Sequence, residues 1–174
     1  LNNYLSLRIA CDGESSSGKS TAAKLISKKY NLFCMNSGLL FRYASFLIIN
    51  HKPKKIIPFL NKKFKKLNYK KLENLNLHSQ MISNHVAILA KQKKVRRIVK
   101  IFQKKIINKH QKICCEGRDQ ASVILKKNPR YDVAFFFKCN LNTASIRRWR
   151  DLKKKISLKE VKRSLRIRTL LDKK

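Results

Sequence analysis

The residues Gly13-Glu14-Ser15-Ser16-Ser17-Gly18-Lys19-Ser20 have the spacing G-x-x-x-x-G-K-S of a phosphate-binding loop. The chemistry accounts for the spacing. Glycines allow a tight turn that points successive backbone N–H groups at a polyphosphate. A helix opening at the loop presents its positive N-terminal end to the same anion. In such a loop Lys19 can reach the β- and γ-phosphates, and the Ser20 hydroxyl can hold Mg²⁺. An ordinary Gly/Ser turn with a neighbouring lysine would need neither a strand before it nor a helix after it. Both flanks are present here. Leu7-Arg8-Ile9-Ala10-Cys11 reads as a short buried strand, and Ala22, Ala23, Leu25 and Ile26 form the apolar side of a helix.

The 174 residues include four glycines. The two outside the loop, Gly38 and Gly117, follow two other strand-like segments. All four therefore fall where a doubly wound sheet builds a nucleotide site, beyond the C-terminal ends of its strands. Glu116 precedes Gly117, at a strand end that should face the loop. It is a candidate to hold Mg²⁺ through water or to polarise a neighbour. Five cysteines show no metal-binding spacing. Cys114 and Cys115 lie in an apolar stretch and read as buried strand residues. An odd cysteine count points to reduced thiols and a cytoplasmic setting. None of His51, His78, His85 and His110 stands in a catalytic constellation.

These residues need a scaffold, and the pattern supplies one. Residues 6–11 read as a strand and 19–30 as its helix. Leu32-Phe33-Cys34-Met35 is a second strand, ending at Asn36-Ser37-Gly38, and Leu39 to Ile49 a helix. Residues 50–80 are rich in Lys, Asn and Leu and read as a peripheral insert of short helices. Ile88, Val95, Ile98, Val99, Phe102 and Ile106 recur at helical spacing over 83–107. Lys112-Ile113-Cys114-Cys115 is a buried strand. Val133-Ala134-Phe135-Phe136-Phe137 has the continuous apolar character of a parallel strand covered on both faces. Residues 142–153 and 157–171 read as basic helices. Alternating strands and helices predict one α/β domain with a parallel sheet flanked by helices.

The sequence resembles the bacterial cytidylate kinases, P-loop nucleoside monophosphate kinases. The resemblance covers nearly the whole chain. It rests on Asp12 through Thr21, Asn36-Ser37-Gly38-Leu39-Leu40-Phe41-Arg42, Val95-Arg96 with Gln103, Glu116-Gly117-Arg118-Asp119, Arg147-Arg148, and Arg168 with Asp172. The S-G-x-x-[YF]-R element paired with the E-G-R-D element is far more specific than the loop alone. It implies a P-loop kinase over residues 1–174, with a reduced monophosphate-side insert at about 50–80 and a lid at about 145–160. It implies transfer of the γ-phosphoryl of ATP to CMP or dCMP with Mg²⁺, by a monomer that binds no specific nucleic acid and no membrane. Gly13 through Thr21 would bind ATP, with Ser20 and Glu116 at the metal. Arg42 and Arg118 would grip the CMP monophosphate, and Ser37, Gly38 and Gly117 would shape its pocket. Arg96 and Asp119 would read the cytosine. Asp172, supported by Arg168, would bind the ribose. Lys19, Arg118, Arg147 and Arg148 would act on the transferring group.

Each cation and carboxylate also has a plainer reading. Arg96 stands beside Arg97 in a basic helix, and Arg147, Arg148 and Arg150 fit a solvated face. Asp119 and Asp172 are structural counter-ions in the alternative. The chain also departs from the family pattern. Asn36 stands where Asp is usual, Glu14 where Pro is common, and Ala87 where a base-contacting Ser is usual, so weaker base discrimination is expected. The chain stops at Lys174, whereas the family continues with another Arg, a strand and a helix. That predicts an unpaired sheet edge, a weakly anchored segment beyond about Leu165 and an incomplete ribose side.

Composition frames the rivals. There are 43 Lys and Arg against 9 Asp and Glu, a net charge of +34. Nucleic-acid binding is the first thought. The lysines, however, are spread along the whole chain and accompanied by many Asn and Ile, which fits a solvated basic surface. Stacking platforms are weak, since Phe135-Phe136-Phe137 reads as core and Trp149 is alone. The alternatives are another P-loop small-molecule kinase and a catalytically silent nucleic-acid-binding protein.

Overall fold

A computed structural model describes residues 6–172; the side chains of Glu73, Arg168, Leu171 and Asp172 lie outside the described set. The chain forms two compact units. One comprises Met35–Gln111, the other the stretches up to Cys34 and from Lys112 onward.

The second unit carries β1 (Leu7–Gly13), β3 (Lys112–Gly117), β4 (Val133–Phe137) and the first half of β2 (Phe33–Asn36), and the sheet order is β2-β3-β1-β4. The β1 strand pairs in parallel with β3, from Leu7 opposite Lys112 to Asp12 opposite Gly117. On its other side it pairs with β4, from Ile9 opposite Val133 to Gly13 opposite Phe137. This register sets the start of the loop, Gly117 and Phe137 side by side at the C-terminal ends of three strands. Helix α1 (Lys19–Lys29) opens directly from the loop. Ile9, Cys11, Ala23, Leu32 and Cys114 form the buried core beneath it.

The continuous apolar run of β4 predicted burial on both faces. The structure instead has an edge strand, with Val133 40%, Phe135 43% and Phe136 62% exposed. An apolar run specifies a strand but not its place in the sheet, and β4 has a neighbour on one side only. Helices α6 (Leu141–Asp151) and α7 (Leu158–Asp172) follow and pack on each other through Ala144, Val161 and Leu165. Asn140 caps α6 by accepting the Thr143 N–H at 2.8 Å. A capping box starts α7: Ser157 Oγ accepts from the Glu160 N–H, and Glu160 Oε2 accepts from the Ser157 N–H at 3.0 Å.

The Met35–Gln111 unit is helical. It holds α2 (Ser37–His51), α3 (Ile56–Lys65), a 3₁₀ turn (Tyr69–Asn74), α4 (Gln80–Leu89) and α5 (Lys93–Lys109). The periodic run over 83–107 is thus two helices, broken at residues 90–92. Ile88, on the far side of the break from the rest, is 66% exposed, while Val95 through Ile106 bury their periodic positions. The segment over 50–80 is not peripheral to this unit, because Leu60, Leu72 and Leu77 are buried in its core. Phe64 of α3 meets Phe102 of α5 edge-on at 5.6 Å.

Candidate active site

Asp12 and Gly13 end β1 and turn the chain into the loop. Gly13 has φ +152°, and a Cβ there would collide with the Phe137 carbonyl. Glycine is therefore required for both torsion and space. Gly18, at φ +92°, caps α1, so the first free N–H groups of that helix border the loop. Lys19 is the first helical residue and is buried. Its Nζ donates to the Glu14 carbonyl at 3.0 Å and lies 3.7 Å from Glu116 Oε1. The lysine is folded back over the loop it serves.

Glu116 is the most constrained acid here. It ends β3, is 4% exposed, and its Oε2 has no hydrogen-bond partner among the described residues. Burial pushes its carboxyl above the ordinary range, and Lys19, the Ser20 hydroxyl and Arg118 pull it partly back. A buried carboxylate oxygen with an unmet bond, close to Ser20, is the donor chemistry that a hydrated Mg²⁺ takes. The residues present fit that ion. Arg118 Nη2 donates to Ser15 Oγ at 3.1 Å, which ties the E-G-R-D element to the loop. Arg147 Nη1 lies 3.4 Å from where a Cβ on Gly18 would sit, so this arginine also reaches the loop. Arg148 is half-buried; burial lowers its pKa and Asp151 counters the effect. A cavity of about 220 Å³ lies beside Glu14 and Ser15, with Ala144, Leu165 and Thr169 on its other walls.

The remaining expected residues sit in the helical unit, apart from Gly117 and Asp119 on either side of Arg118 and the two on α7. Ser37 and Gly38 occupy the first turn of α2, rather than a loop after β2. Asn36 replaces the usual Asp and still works as an N-cap, its Oδ1 accepting the Leu39 N–H at 3.2 Å. Arg42 Nη1 donates to the Leu77 carbonyl at 2.9 Å and to Ser83 Oγ at 3.1 Å. Arg96 is exposed in the first turn of α5, its Nη1 3.5 Å from the Ala90 carbonyl. Ala87 is half-buried on α4. Arg168 and Asp172 lie on α7, but their side chains are outside the described residues.

Two residues escaped the sequence pattern, and a third, Asp12, entered it only as part of the motif around the loop. Ser83 orients Arg42. Tyr69 accepts the Asn36 N–H on its hydroxyl at 2.6 Å and so anchors the S-G-x-x-F-R element. Asp12 accepts two backbone N–H groups just beyond Asp119. Only Asp12 left a signal, as an acid directly before the loop. Trp149 is no stacking platform, since it packs against the α6–α7 core and its Nε1 donates to the Ile156 carbonyl at 2.9 Å. The exposed Phe135 and Phe136 correct the reading of that triplet as core.

A strand, a phosphate-binding loop with its buried lysine, a helix and a carboxylate at the next strand end define a P-loop kinase. A family model described as cytidylate kinase matches residues 9–174. A cytidylate kinase of Clostridium botulinum is 30% identical over 183 residues, covering 97% of this chain and 82% of the relative. One from Mesomycoplasma hyopneumoniae is 29% identical over 184 residues, covering 97% and 79%. The chain belongs to the cytidylate kinase family, the ATP-dependent nucleoside monophosphate kinases that phosphorylate CMP or dCMP.

Proposed function

We propose a division of labour for the transfer of the γ-phosphoryl of ATP to CMP or dCMP. Gly13 through Thr21 bind the ATP phosphates through backbone N–H groups and the α1 N-terminus. Lys19 neutralises charge on the transferring group, and Arg147 and Arg148 add to it from the lid region. Ser20 and Glu116 would hold Mg²⁺, which would supply positive charge against the phosphates. Arg42 and Arg118 bind the CMP monophosphate, because a planar guanidinium matches two phosphate oxygens at once. Ser37, Gly38 and Gly117 shape the acceptor pocket, Arg96 and Asp119 read cytosine, and Arg168 and Asp172 bind the ribose.

The observation that carries this reading is the buried Lys19–Glu116 pair at the loop, with Arg118 tied to Ser15 beside it. Phosphoryl transfer is chiefly positioning and charge neutralisation, and this cluster supplies both. The kinase works as a cytoplasmic monomer without a specific nucleic-acid partner. For the cytoplasmic setting alone, support comes from five cysteines that are all free, although Cys11 and Cys114 sulfurs lie 3.7 Å apart. Among the described residues no helix is long and apolar enough to cross a membrane.

The test is Lys19→Ala. Loss of this one cation should lower kcat by about 10²-fold or more. Thermal unfolding, and its shift by ATP, checks that the variant is folded, since removing Lys19 leaves Glu116 buried without its cation. Near wild-type turnover in the variant would overturn the assignment.

A further inference from the structure

We propose that Gln120, seated by Asp12, is a positioning residue that orients the Asp119 carboxylate for base selection. The proposal rests on the reading of Asp119 as a cytosine contact. It concerns the residue directly after the E-G-R-D element, which the phosphate chemistry leaves unused.

Gln120 is fully buried. Its Nε2 lies 3.4 Å from Asp119 Oδ1, at the long end of hydrogen-bonding range. Its backbone N–H donates to Asp12 Oδ1 at 2.8 Å, and the Ala121 N–H donates to Asp12 Oδ2 at 2.8 Å. Both oxygens of one buried carboxylate are thus spent on the first N–H groups of the π-helical turn Gln120–Ile124. Such a forked anchor fixes the turn in translation and in rotation. The side chain is fixed as well. A Cβ on Gly117 would collide with Gln120 Nε2, so the amide packs against the backbone where β3 ends. The glycine of E-G-R-D therefore leaves room for this amide.

The physical consequence falls on Asp119. A short carboxylate turns readily about its terminal bond. A donor held against Oδ1 selects one orientation and so sets where Oδ2 is presented. An amide is costly to bury unless it is hydrogen-bonded, so an apolar residue would suit mere filling better. A buried glutamine seated by a second buried carboxylate is the arrangement expected when direction matters. Pyrimidine discrimination depends on direction, because CMP and UMP differ in whether the ring carries an amino donor or a carbonyl at one position.

The experiment compares Gln120→Leu and Gln120→Met with Asp119→Ala and with the double variant Q120L/D119A. For each, kcat and KM are measured for CMP, UMP and ATP, with thermal unfolding and its shift by ATP as the check on folding. Two substitutions of different shape at position 120 keep a packing failure in one from deciding the result. Losing a single hydrogen bond corresponds to about 3–10-fold. The kcat/KM ratio of CMP to UMP should fall by that factor in both Gln120 variants. The loss should sit mainly in KM for CMP, with KM for ATP nearly unchanged. Asp119→Ala should collapse the ratio, and Q120L should then add nothing further, since it acts through Asp119. A Gln120 variant that binds ATP normally and keeps the wild-type CMP-to-UMP ratio, while Asp119→Ala collapses it, overturns the role of Gln120 alone. An unchanged ratio in Asp119→Ala overturns the base contact and the positioning role together.

Discussion

Glu116 concentrates the chemistry of the site in one side chain. It is buried, it faces Lys19, and in the proposed role it must be ionised both to pair with that lysine and to hold Mg²⁺. Burial holds its native pKa above its ordinary value of 4.5. In the window between 4.5 and the raised value, the native state binds more protons than the unfolded chain. Stability from this group is therefore greatest at low pH and falls as pH rises through the window. Activity runs the other way, because the protonated acid can neither pair nor bind the metal. An acidic limb in kcat/KM is expected with its midpoint above 4.5, and Glu116→Gln should lower turnover and flatten that limb. A pH profile that stays flat down to the ordinary carboxylate range would contradict the assignment. The loop and Glu116 were legible from glycine spacing and strand ends, whereas Arg118 and Asp119 were legible as candidates only through the family resemblance of the contiguous E-G-R-D element. Ser83, Tyr69 and Gln120 were not. Each owes its role to a partner brought close by folding, such as Ser83 beneath Arg42 or Gln120 against Gly117.

The elements were read most easily where local pattern and tertiary setting agree. The strand, loop and helix of β1 and α1 needed only apolar runs around glycines. The break between α4 and α5 has neither Gly nor Pro to mark it, so the periodicity of 83–107 ran through it unseen. The exposure of β4 was not legible in its own apolar run, since its place at the edge follows from strand order rather than composition, although it agrees with the unpaired sheet edge expected above. A testable case at this scale is the capping box of α7. Ser157 satisfies an orphan N–H of the helix, and Glu160 returns the bond. Ser157→Ala should lower the melting temperature by about 2–4 °C, measured by calorimetry. CMP affinity should drop with it if α7 also carries the ribose contacts. An unchanged melting temperature would show that the box adds nothing to the fold.

At the scale of the whole molecule the dominant fact is the charge of +34. A surface so basic attracts every polyphosphate, substrate and nucleic acid alike. Salt separates the two. Non-specific RNA binding through several phosphates should weaken by about 10³-fold or more between roughly 50 and 200 mM salt. The KM values for ATP and CMP should move far less over the same range, because contacts shielded from solvent are screened less. RNA binding that resists salt, together with nucleotide affinity that does not, would reverse this picture.

Cytosine monophosphates are the expected phosphoryl acceptors of this chain. Coupled ADP release with CMP, dCMP, UMP, AMP and GMP tests this most directly. Arg96 and Asp119 should favour CMP and dCMP. A base that leaves either group unpaired should lose about 1–3 kcal/mol of transition-state binding. UMP should be a poor but detectable acceptor, since Ala87 has no hydroxyl to reinforce the choice, and AMP and GMP should stay near background. Equal kcat/KM for CMP and AMP would contradict the account.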